Sequence, residues 1–346
     1  MPNSFFAFSF FLLQFDNPSF NPENVVYTPR LIVLSGPTGV GKTALSIALA
    51  KHLDCPIISA DSRQLYKEIP IGTAAPTPQE QSLCLHYMVG NKSILEPYSA
   101  GQFENDVLQL LQELFSKHPF VVLCGGSMLY IDAVCRGIDD VPDADPEIRK
   151  TLNERYAREG LSGILTELKL ADPEYYHLVD HKNPQRVIHG LEIFLSCGTP
   201  LSHFRTGLEK KRFFKIHRFQ MVRNREDLYA RINLRVIQMI QEGLEEEAKA
   251  LFPYRHLNAL NTVGYKEMFA YLENKIDLSE AIRLIQRNSR HYARKQMTWF
   301  RKDGRYKEID ASLTPEKQIA AIADSIKKVA PISEISSPIK PATFGH

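Results

Sequence analysis

A glycine-rich segment after a short apolar run is the feature that most constrains how this chain can fold. Leu31–Leu34 is continuously apolar, as is typical of a parallel strand buried on both faces. The next segment, Gly36–Thr43, matches G-x-x-x-x-G-K-[ST], and good helix formers follow from Ala44 to Leu53. A strand followed by such a loop and a helix places backbone N–H groups at the N-terminus of the helix, where they can bind phosphate oxygens. We therefore expect the chain to bind a diphosphate or a triphosphate.

Two side chains of this loop have predicted roles of their own. Lys42 would bring a full positive charge to the phosphates, and the Thr43 hydroxyl would be a ligand of Mg²⁺. The alternative is a glycine-rich turn that matches by chance, which the flanking strand and helix disfavour. The residues predicted to bind the phosphates are Gly36, Pro37, Thr38, Gly39, Val40, Gly41, Lys42 and Thr43.

Two further buried strands are predicted, and each ends in residues that bear on the chemistry of the site. Asp61 comes directly after the strand at Pro56–Ala60, and ligands of open parallel sheets bind beyond the carboxyl ends of the strands. Asp61 is thus placed beside the phosphate loop, although a helix cap is an equally good interpretation of this position alone. The strand at Pro119–Cys124 leads into Gly125-Gly126-Ser127, where an ATPase or GTPase would have an Asp that organises Mg²⁺. Hydrolysis at phosphorus is therefore not the favoured reaction.

The second half of the chain is predicted to be mainly helical. Between Arg136 and about His217, short helices are separated by prolines, which indicates a helical insertion in the sheet domain. Arg225–Ala250 is predicted to be one long helix, with Arg231 and Arg235 on one face.

Positive charge is concentrated near the C-terminal end, although the net charge of the chain is only +2. The predicted helix Ile282–Arg301 has an arginine stripe with Tyr292 and Trp299 interleaved. A charged stripe is often only a solvated face, but together with aromatic residues it favours a polyanionic partner such as a nucleic acid. The stripe consists of Arg283, Arg287, Arg290 and Arg294.

Composition excludes several classes of protein. Hydrophobic residues make up 44% of the 346 positions and charged residues 24%, which is ordinary for a soluble globular protein. Five cysteines without a C-x-x-C pair favour reduced thiols in the cytoplasm, and no apolar run is long enough to cross a bilayer. Residues 1–28 are predicted to be a poorly ordered extension, and the tail after Leu313 is predicted to fray.

Taken together, these segments resemble the tRNA dimethylallyltransferase (isopentenyltransferase) family. The resemblance runs in family order from about Leu31 to Arg301. It rests on GPTGVGKT at Gly36–Thr43, ISADSRQLYKEIPIGTA at Ile58–Ala74, GGSMLYIDA at Gly125–Ala133, DADPEIR at Asp143–Arg149, NPQRVIHGLEI at Asn183–Ile193, TVGYKE at Thr262–Glu267 and RHYARKQMTWFR at Arg290–Arg301. No Cys/His zinc finger follows Arg301, so the resemblance is to the bacterial type.

The resemblance implies an α/β fold with a P-loop NTPase-like parallel sheet flanked by helices and with a helical insertion domain. Residues 29–135 and 218–312 would form the catalytic core. Residues 136–217 would form the insertion domain, which contacts tRNA, and residues 313–346 the C-terminal tail.

The family transfers a dimethylallyl group from dimethylallyl diphosphate to the exocyclic amine of the adenosine 3′ of the tRNA anticodon. The resemblance implies that Thr38, Lys42 and Thr43 hold the diphosphate with Mg²⁺. It also implies that Asp61 is the general base and that Arg235 contacts the diphosphate from the far side. The tRNA contacts it implies are Asp61, Ser62, Arg63, Gln64, Ser127, Arg149, Gln185, Arg186, Val187, Ile188, His189, Asn261, Thr262, Val263, Gly264, Tyr265 and Lys266.

Three positions depart from the family pattern: Ser127 replaces threonine, His189 replaces arginine and Ala75 replaces lysine. Three alternatives remain open. One is an adenylate isopentenyltransferase whose acceptor is a free adenine nucleotide, and another is a P-loop kinase of a small metabolite. The third, a non-catalytic RNA-binding protein, is disfavoured because Lys42, Thr43 and Asp61 are all intact. We expect a cytoplasmic, monomeric enzyme with no membrane partner.

Overall fold

The computed structural model describes residues 27–329, which divide into two compact units. One unit consists of the described residues up to Ile131 and from Arg212 onwards, and the other of Asp132–Lys211. The predicted N-terminal extension lies outside the described residues, apart from its last two positions. The predicted insertion of residues 136–217 ends too late, because a strand of the sheet already begins at Lys215.

The first unit is built on a parallel sheet. Its strands are β1 (Arg30–Ser35), β2 (Ile57–Ser59), β3 (His86–Tyr87), β4 (Phe120–Gly125), β5 (Lys215–Val222) and β6 (Lys307–Asp310). They lie in the order β3-β2-β4-β1-β5-β6, and every neighbouring pair is parallel. Each residue of β1 is buried between its two neighbours, so the strand has no polar face and its sequence is almost continuously apolar. This confirms the predicted α/β fold with a parallel sheet.

Helices flank this sheet, and further helices form the second unit. In chain order they are α1 (Lys42–Leu53), α2 (Pro70–Thr73), α3 (Pro78–Gln81), α4 (Ala100–Phe115), α5 (Met128–Arg136), α6 (Pro146–Glu159), α7 (Ser162–Ala171), α8 (Pro173–Leu178), α9 (Pro184–Cys197), α10 (Leu201–Phe204), α11 (Arg225–Gln241), α12 (Leu244–Leu251), α13 (Tyr265–Leu272), α14 (Leu278–Asp303) and α15 (Pro315–Val329). Helices α6 to α10 pack on one another around an apolar core of their own. No helix within residues 27–329 is both long and apolar enough to cross a membrane.

The long helix predicted at Arg225–Ala250 is in fact two helices. Helix α11 ends at Gln241 and α12 begins at Leu244. Between them, Gly243 has a φ of 102°, a left-handed backbone that a helix cannot contain and that glycine adopts without steric cost. The prediction was wrong because the apolar periodicity continues across this glycine.

The predicted fraying tail also contains a helix that belongs to the core. In α15, Ile322 and Ile326 are buried in the main apolar cluster, and the helix packs on α1 and β6. The prediction of a tail from residue 313 was therefore wrong up to Val329, where the described residues end. Its Pro- and Ser-rich end lies outside them.

Replacing Ile322 with alanine is expected to lower the free energy of unfolding by about 2–5 kcal/mol, because the missing methyl groups leave a cavity in a packed core. The measurement is a urea unfolding curve. As a control, Lys317→Ala on an exposed part of the same helix should change this free energy by no more than about 0.5 kcal/mol. Equal effects of the two substitutions would show that α15 does not pack as described.

Candidate active site

The glycine-rich loop lies between the carboxyl end of β1 and the first turn of α1. The Lys42 ammonium donates to the carbonyl oxygens of Gly36 and Pro37, each at 2.9 Å. Burial lowers the pKa of Lys42 to about 8, and the nearby carboxylate of Asp61 opposes this shift. A partly buried cation surrounded by the N–H groups of a helix N-terminus is suited to binding an anion.

Two cavities open at the carboxyl ends of the strands and meet at a shared wall. The first, of about 420 Å³, is lined by the phosphate loop, by the ends of β2 and β4, and by one face of α11. The second, of about 600 Å³, is lined by the turn after β2, by the segment before α13 and by α14. Five residues line both cavities and therefore form the boundary between them: Thr38, Asp61, Thr73, Arg235 and Tyr292.

Asp61 both caps the turn after β2 and lies beside the phosphate loop, the two interpretations that its position in the sequence left open. Its Oδ1 accepts hydrogen bonds from the backbone N–H of Arg63 at 2.9 Å and of Gln64 at 3.4 Å, which caps the turn after β2. Among the described residues, none donates to Oδ2. The carboxylate is thus held in place by one oxygen, while the other remains available where the two cavities meet.

Arg235 reaches the same boundary from α11. Its guanidinium donates to Thr38 Oγ1 at 3.3 Å and to the carbonyl oxygen of Thr73 at 3.4 Å. Burial lowers its pKa, and the Asp61 carboxylate opposes this change. On the same face of α11, as predicted, Arg231 donates to the carbonyl oxygen of Gly39 at 3.0 Å. Two arginines of one helix therefore contact the phosphate loop.

The turn after β4 is tied to the turn that carries Asp61. The Ser127 hydroxyl accepts a hydrogen bond from Ser62 N at 2.8 Å and donates to Ser62 Oγ at 3.2 Å. Ser127 itself is 7% exposed. Its hydroxyl holds Ser62 next to Asp61 through these two bonds.

Sequence reasoning does not assign Thr73 and Tyr292 to the site. Burial raises the pKa of Tyr292 to about 12, with a further contribution from the Asp61 carboxylate. In the sequence, Tyr292 is only an aromatic residue within the basic helix, and Thr73 lies in the ISADSRQLYKEIPIGTA segment. Neither residue type could have been placed at the boundary without the packing of α14 and α2.

The segment of residues 261–266, which leads into the first turn of α13, lines the second cavity with the exception of Tyr265. The side chain of Tyr265 is fully buried, and its hydroxyl donates a short hydrogen bond to Glu247. That side chain has no access to RNA, so the predicted contact does not hold for it. The residues of this segment that do line the cavity are Asn261, Thr262, Val263, Gly264 and Lys266, and Ser62 and Arg63 line it as well.

The predicted tRNA contacts of the second unit fall into two groups. Val187 and Ile188 are buried in the apolar core of that unit, so the prediction that they contact RNA does not hold for their side chains. Gln185 and Arg186, by contrast, are exposed on the first turn of α9.

Arg149 and His189 share one buried carboxylate. Arg149 Nε donates to Glu192 Oε2 at 2.6 Å, and His189 Nδ1 lies 2.7 Å from Glu192 Oε1. Burial acts to raise the pKa of Glu192, but the hydrogen bonds from His189 and Arg149 hold it below its ordinary value. Glu192 therefore fixes two of the predicted RNA-binding side chains beside each other.

The basic stripe on α14 is partly neutralised. Arg283 forms an ion pair with Glu280 at 2.6 Å, whereas Arg290 donates a short hydrogen bond to the uncharged Asn233 side chain and keeps its positive charge. The remaining arginines of the stripe, Arg287 and Arg294, are exposed on the helix. The alternative that the stripe is only an ordinary solvated face therefore applies to part of this surface.

Comparisons with known proteins identify the family to which this chain is similar. Residues 64–303 match the IPP transferase family. The chain is 60% identical to "tRNA dimethylallyltransferase 2" of Porphyromonas gingivalis, over 79% of this chain and 91% of that protein. It is 53% identical to "tRNA dimethylallyltransferase 1" of Bacteroides thetaiotaomicron, over 80% and 89%.

Solved structures show the same fold. The full-length tRNA isopentenylpyrophosphate transferase of Bacillus halodurans is 34% identical, with a TM-score of 0.64, and the match covers 86% of this chain and 96% of that one. A eukaryotic dimethylallyltransferase acting on tRNA has a TM-score of 0.74 at 24% identity, covers 87% and 80%, and supports the fold alone. From the family match and the close relatives together, the chain belongs to the IPP transferase family.

Proposed function

We propose that this protein transfers the dimethylallyl group of dimethylallyl diphosphate to the exocyclic amine of the adenosine 3′ of the anticodon in tRNA. The products are N6-isopentenyladenosine and diphosphate. The observation that carries the proposal is the place of Asp61, whose free carboxylate oxygen lies at the boundary between the phosphate-loop cavity and the second cavity. The relatives named above are tRNA dimethylallyltransferases, which supports the choice of acceptor.

The two cavities suit the two substrates. The first cavity, with Lys42 and Arg235 in its wall, would hold the diphosphate of the donor. The second cavity would hold the adenine base, which has to leave its stack in the anticodon loop. Unstacking costs roughly a few kcal/mol, and contacts between phosphates and basic residues such as Lys266 and Lys295 would offset that cost.

The chemistry that the chain must perform follows from the acceptor. The lone pair of an adenine amine is delocalised into the ring, so the amine is a poor nucleophile. A carboxylate that accepts the amine proton during attack on the allylic carbon typically contributes about 10²–10⁴-fold. We assign this role to Asp61 Oδ2, because Oδ1 is engaged by the backbone and keeps the group in position.

Charge builds on the diphosphate as it leaves. The Lys42 ammonium, the Arg235 guanidinium and the N–H groups of the phosphate loop are fixed before the reaction, so they can stabilise that charge without rearrangement. Mg²⁺ fits the site, because the Thr43 hydroxyl lines the first cavity and Mg²⁺ takes few protein oxygens when it also binds phosphates. When bound, the ion would neutralise part of the diphosphate charge.

One incubation tests the proposed function. The protein is mixed with dimethylallyl diphosphate, Mg²⁺ and bulk tRNA, and digested nucleosides are analysed by mass spectrometry for an adenosine that has gained the dimethylallyl group. AMP offered as a competing acceptor separates this activity from that of an adenylate isopentenyltransferase. Modified AMP with unmodified tRNA, or release of ADP from ATP without any prenylation, would contradict the proposal. We further propose that the protein acts as a monomer in the cytoplasm, where tRNA is available.

The affinity for dimethylallyl diphosphate is expected to fall as the pH rises through about 8. The lowered pKa of Lys42 means that its ammonium is fully charged only below this pH, so each further pH unit should weaken binding by up to about tenfold. Calorimetry between about pH 7 and about pH 10 measures the effect. A Lys42→Arg variant keeps its charge and should show a flat profile at whatever affinity it retains. An unchanged wild-type affinity across this range would contradict the role of Lys42.

A further inference from the structure

Gln296 is a buried amide on an otherwise basic helix. The residue is 2% exposed, whereas the preceding residue, Lys295, is exposed. Its Oε1 accepts a hydrogen bond from the backbone N–H of Thr38 at 2.9 Å, and its Nε2 donates to the carbonyl oxygen of Gly126 at 2.8 Å. Because the first partner can only donate and the second can only accept, one orientation of the amide satisfies both.

We infer that Gln296 is a positioning residue that fixes the phosphate loop for the donor diphosphate. Its effect passes through Thr38, whose N–H is bound by Gln296 and whose Oγ1 accepts from Arg235 at 3.3 Å. Helices α14 and α11 thus determine where this residue of the loop lies. The inference rests on the proposed function only in taking the ligand of the loop to be a diphosphate.

The same amide also joins the loop to the turn that holds Asp61. A Cβ atom on Gly126 would lie 2.3 Å from Gln296 Nε2, so the backbone after β4 is in direct contact with the amide. The next residue, Ser127, holds Ser62 in place through its hydroxyl. One side chain therefore connects the anion-binding loop with the end of β4, and misplacement of reacting groups by about 1 Å can cost about 10²-fold in rate.

The chemistry of the position demands both a donor and an acceptor at this distance. Glutamate has no proton to donate to the carbonyl oxygen of Gly126 at neutral pH, and asparagine is one methylene shorter. Methionine has a similar length and shape but leaves the N–H of Thr38 and the carbonyl of Gly126 without their partner. Gln296→Met is therefore the variant that removes both hydrogen bonds with the least change in packing.

The test measures the two substrates separately. Gln296→Met is expected to raise the Kd of pyrophosphate with Mg²⁺, measured by calorimetry without tRNA, by about tenfold. The KM for dimethylallyl diphosphate should rise by a similar factor, while the KM for tRNA stays within about twofold. Gly126→Ala should shift the donor constants in the same direction, because its new methyl group displaces the amide.

A matched control lies nearly three turns earlier on the same helix. Gln286 is partly buried and its Nε2 donates to the carbonyl oxygen of Asn233 at 3.2 Å, away from the phosphate loop. Gln286→Met should leave both donor constants unchanged. The proposal is overturned if Gln296→Met remains folded by circular dichroism and binds pyrophosphate like the wild type, or if both glutamine variants have the same effect.

A double-mutant cycle separates positioning from general stability. In a Gly126→Ala background, whose new methyl group already displaces the amide, Gln296→Met should change the donor KM by no more than about threefold, because the hydrogen bonds that it would remove are already lost. Fully additive effects would refute the assignment. If the wild type prenylates no adenosine, the proposed function fails, and the pyrophosphate titration still decides the role of Gln296.

Discussion

Replacing Asp61 with asparagine is expected to lower the rate of prenyl transfer at least ~10²-fold while the affinity for tRNA stays nearly unchanged. Asparagine keeps an oxygen that can accept the N–H of Arg63, so the turn after β2 should persist. Its amide group has no basic atom to take the amine proton. The loss should therefore appear in the transfer step, which single-turnover kinetics with saturating substrates measures directly.

Glu80 offers a control for charge alone. Its carboxylate also lines the first cavity, and Glu80→Gln keeps an oxygen that can accept from Thr77 N in the capping box of α3. This variant should retain most of the activity. Near-wild-type turnover by Asp61→Asn would remove Asp61 from the role of base, and equal losses in the two variants would indicate that only the charge of the cavity matters.

Replacing Arg235 with alanine is expected to lower kcat/KM for dimethylallyl diphosphate by about 10²–10³-fold, as the loss of one preorganised donor to a developing anion does elsewhere. The affinity for tRNA should change far less. Arg235 Nη1 and Nη2 are held at Thr38 and Thr73, in the wall of the first cavity, so the guanidinium is aimed at the anion before it binds. Donor titrations and filter binding of tRNA measure the two effects separately.

Arg231 is the natural control for Arg235, since it lies one turn earlier on the same face of α11. It is exposed and contacts the loop only through the carbonyl oxygen of Gly39, so Arg231→Ala should have a smaller effect on the donor. Arg235→Lys should restore only part of the activity, because an ammonium cannot reproduce two directed contacts. A larger loss of tRNA affinity than of donor use would remove Arg235 from the donor site.

Much of the sheet and the phosphate loop could be predicted from local patterns. β1, β2 and β4 are largely buried on both faces and therefore leave continuous apolar runs in the sequence. β5 and β6 could not be predicted in this way. Lys215 and Arg218 interrupt the apolar run of β5, and β6 is largely exposed. These strands are recognisable only once their neighbours in the sheet are known.

The candidate site could be predicted where one motif contains the chemistry, and not where distant segments supply it. Lys42 and Thr43 follow from the loop pattern, and the resemblance to the family added Asp61 and Arg235. The roles of Thr73 and Gln296 depend on packing between residues more than 100 positions apart, which no local signal records. The predicted RNA contacts of the Val187, Ile188 and Tyr265 side chains were wrong because these side chains are buried, which likewise depends on packing that no local signal records.

The way Lys42 is bound in the phosphate loop has a consequence for how fast the donor is captured. Its ammonium donates hydrogen bonds to the carbonyl oxygens of Gly36 and Pro37, and these bonds hold the conformation of the loop before any anion binds. An incoming diphosphate therefore binds to a preformed loop. Binding needs only a movement of the Lys42 ammonium towards the anion and no folding of the loop around it. Capture should therefore be a single kinetic phase whose observed rate rises linearly with donor concentration and shows no plateau from a slow rearrangement.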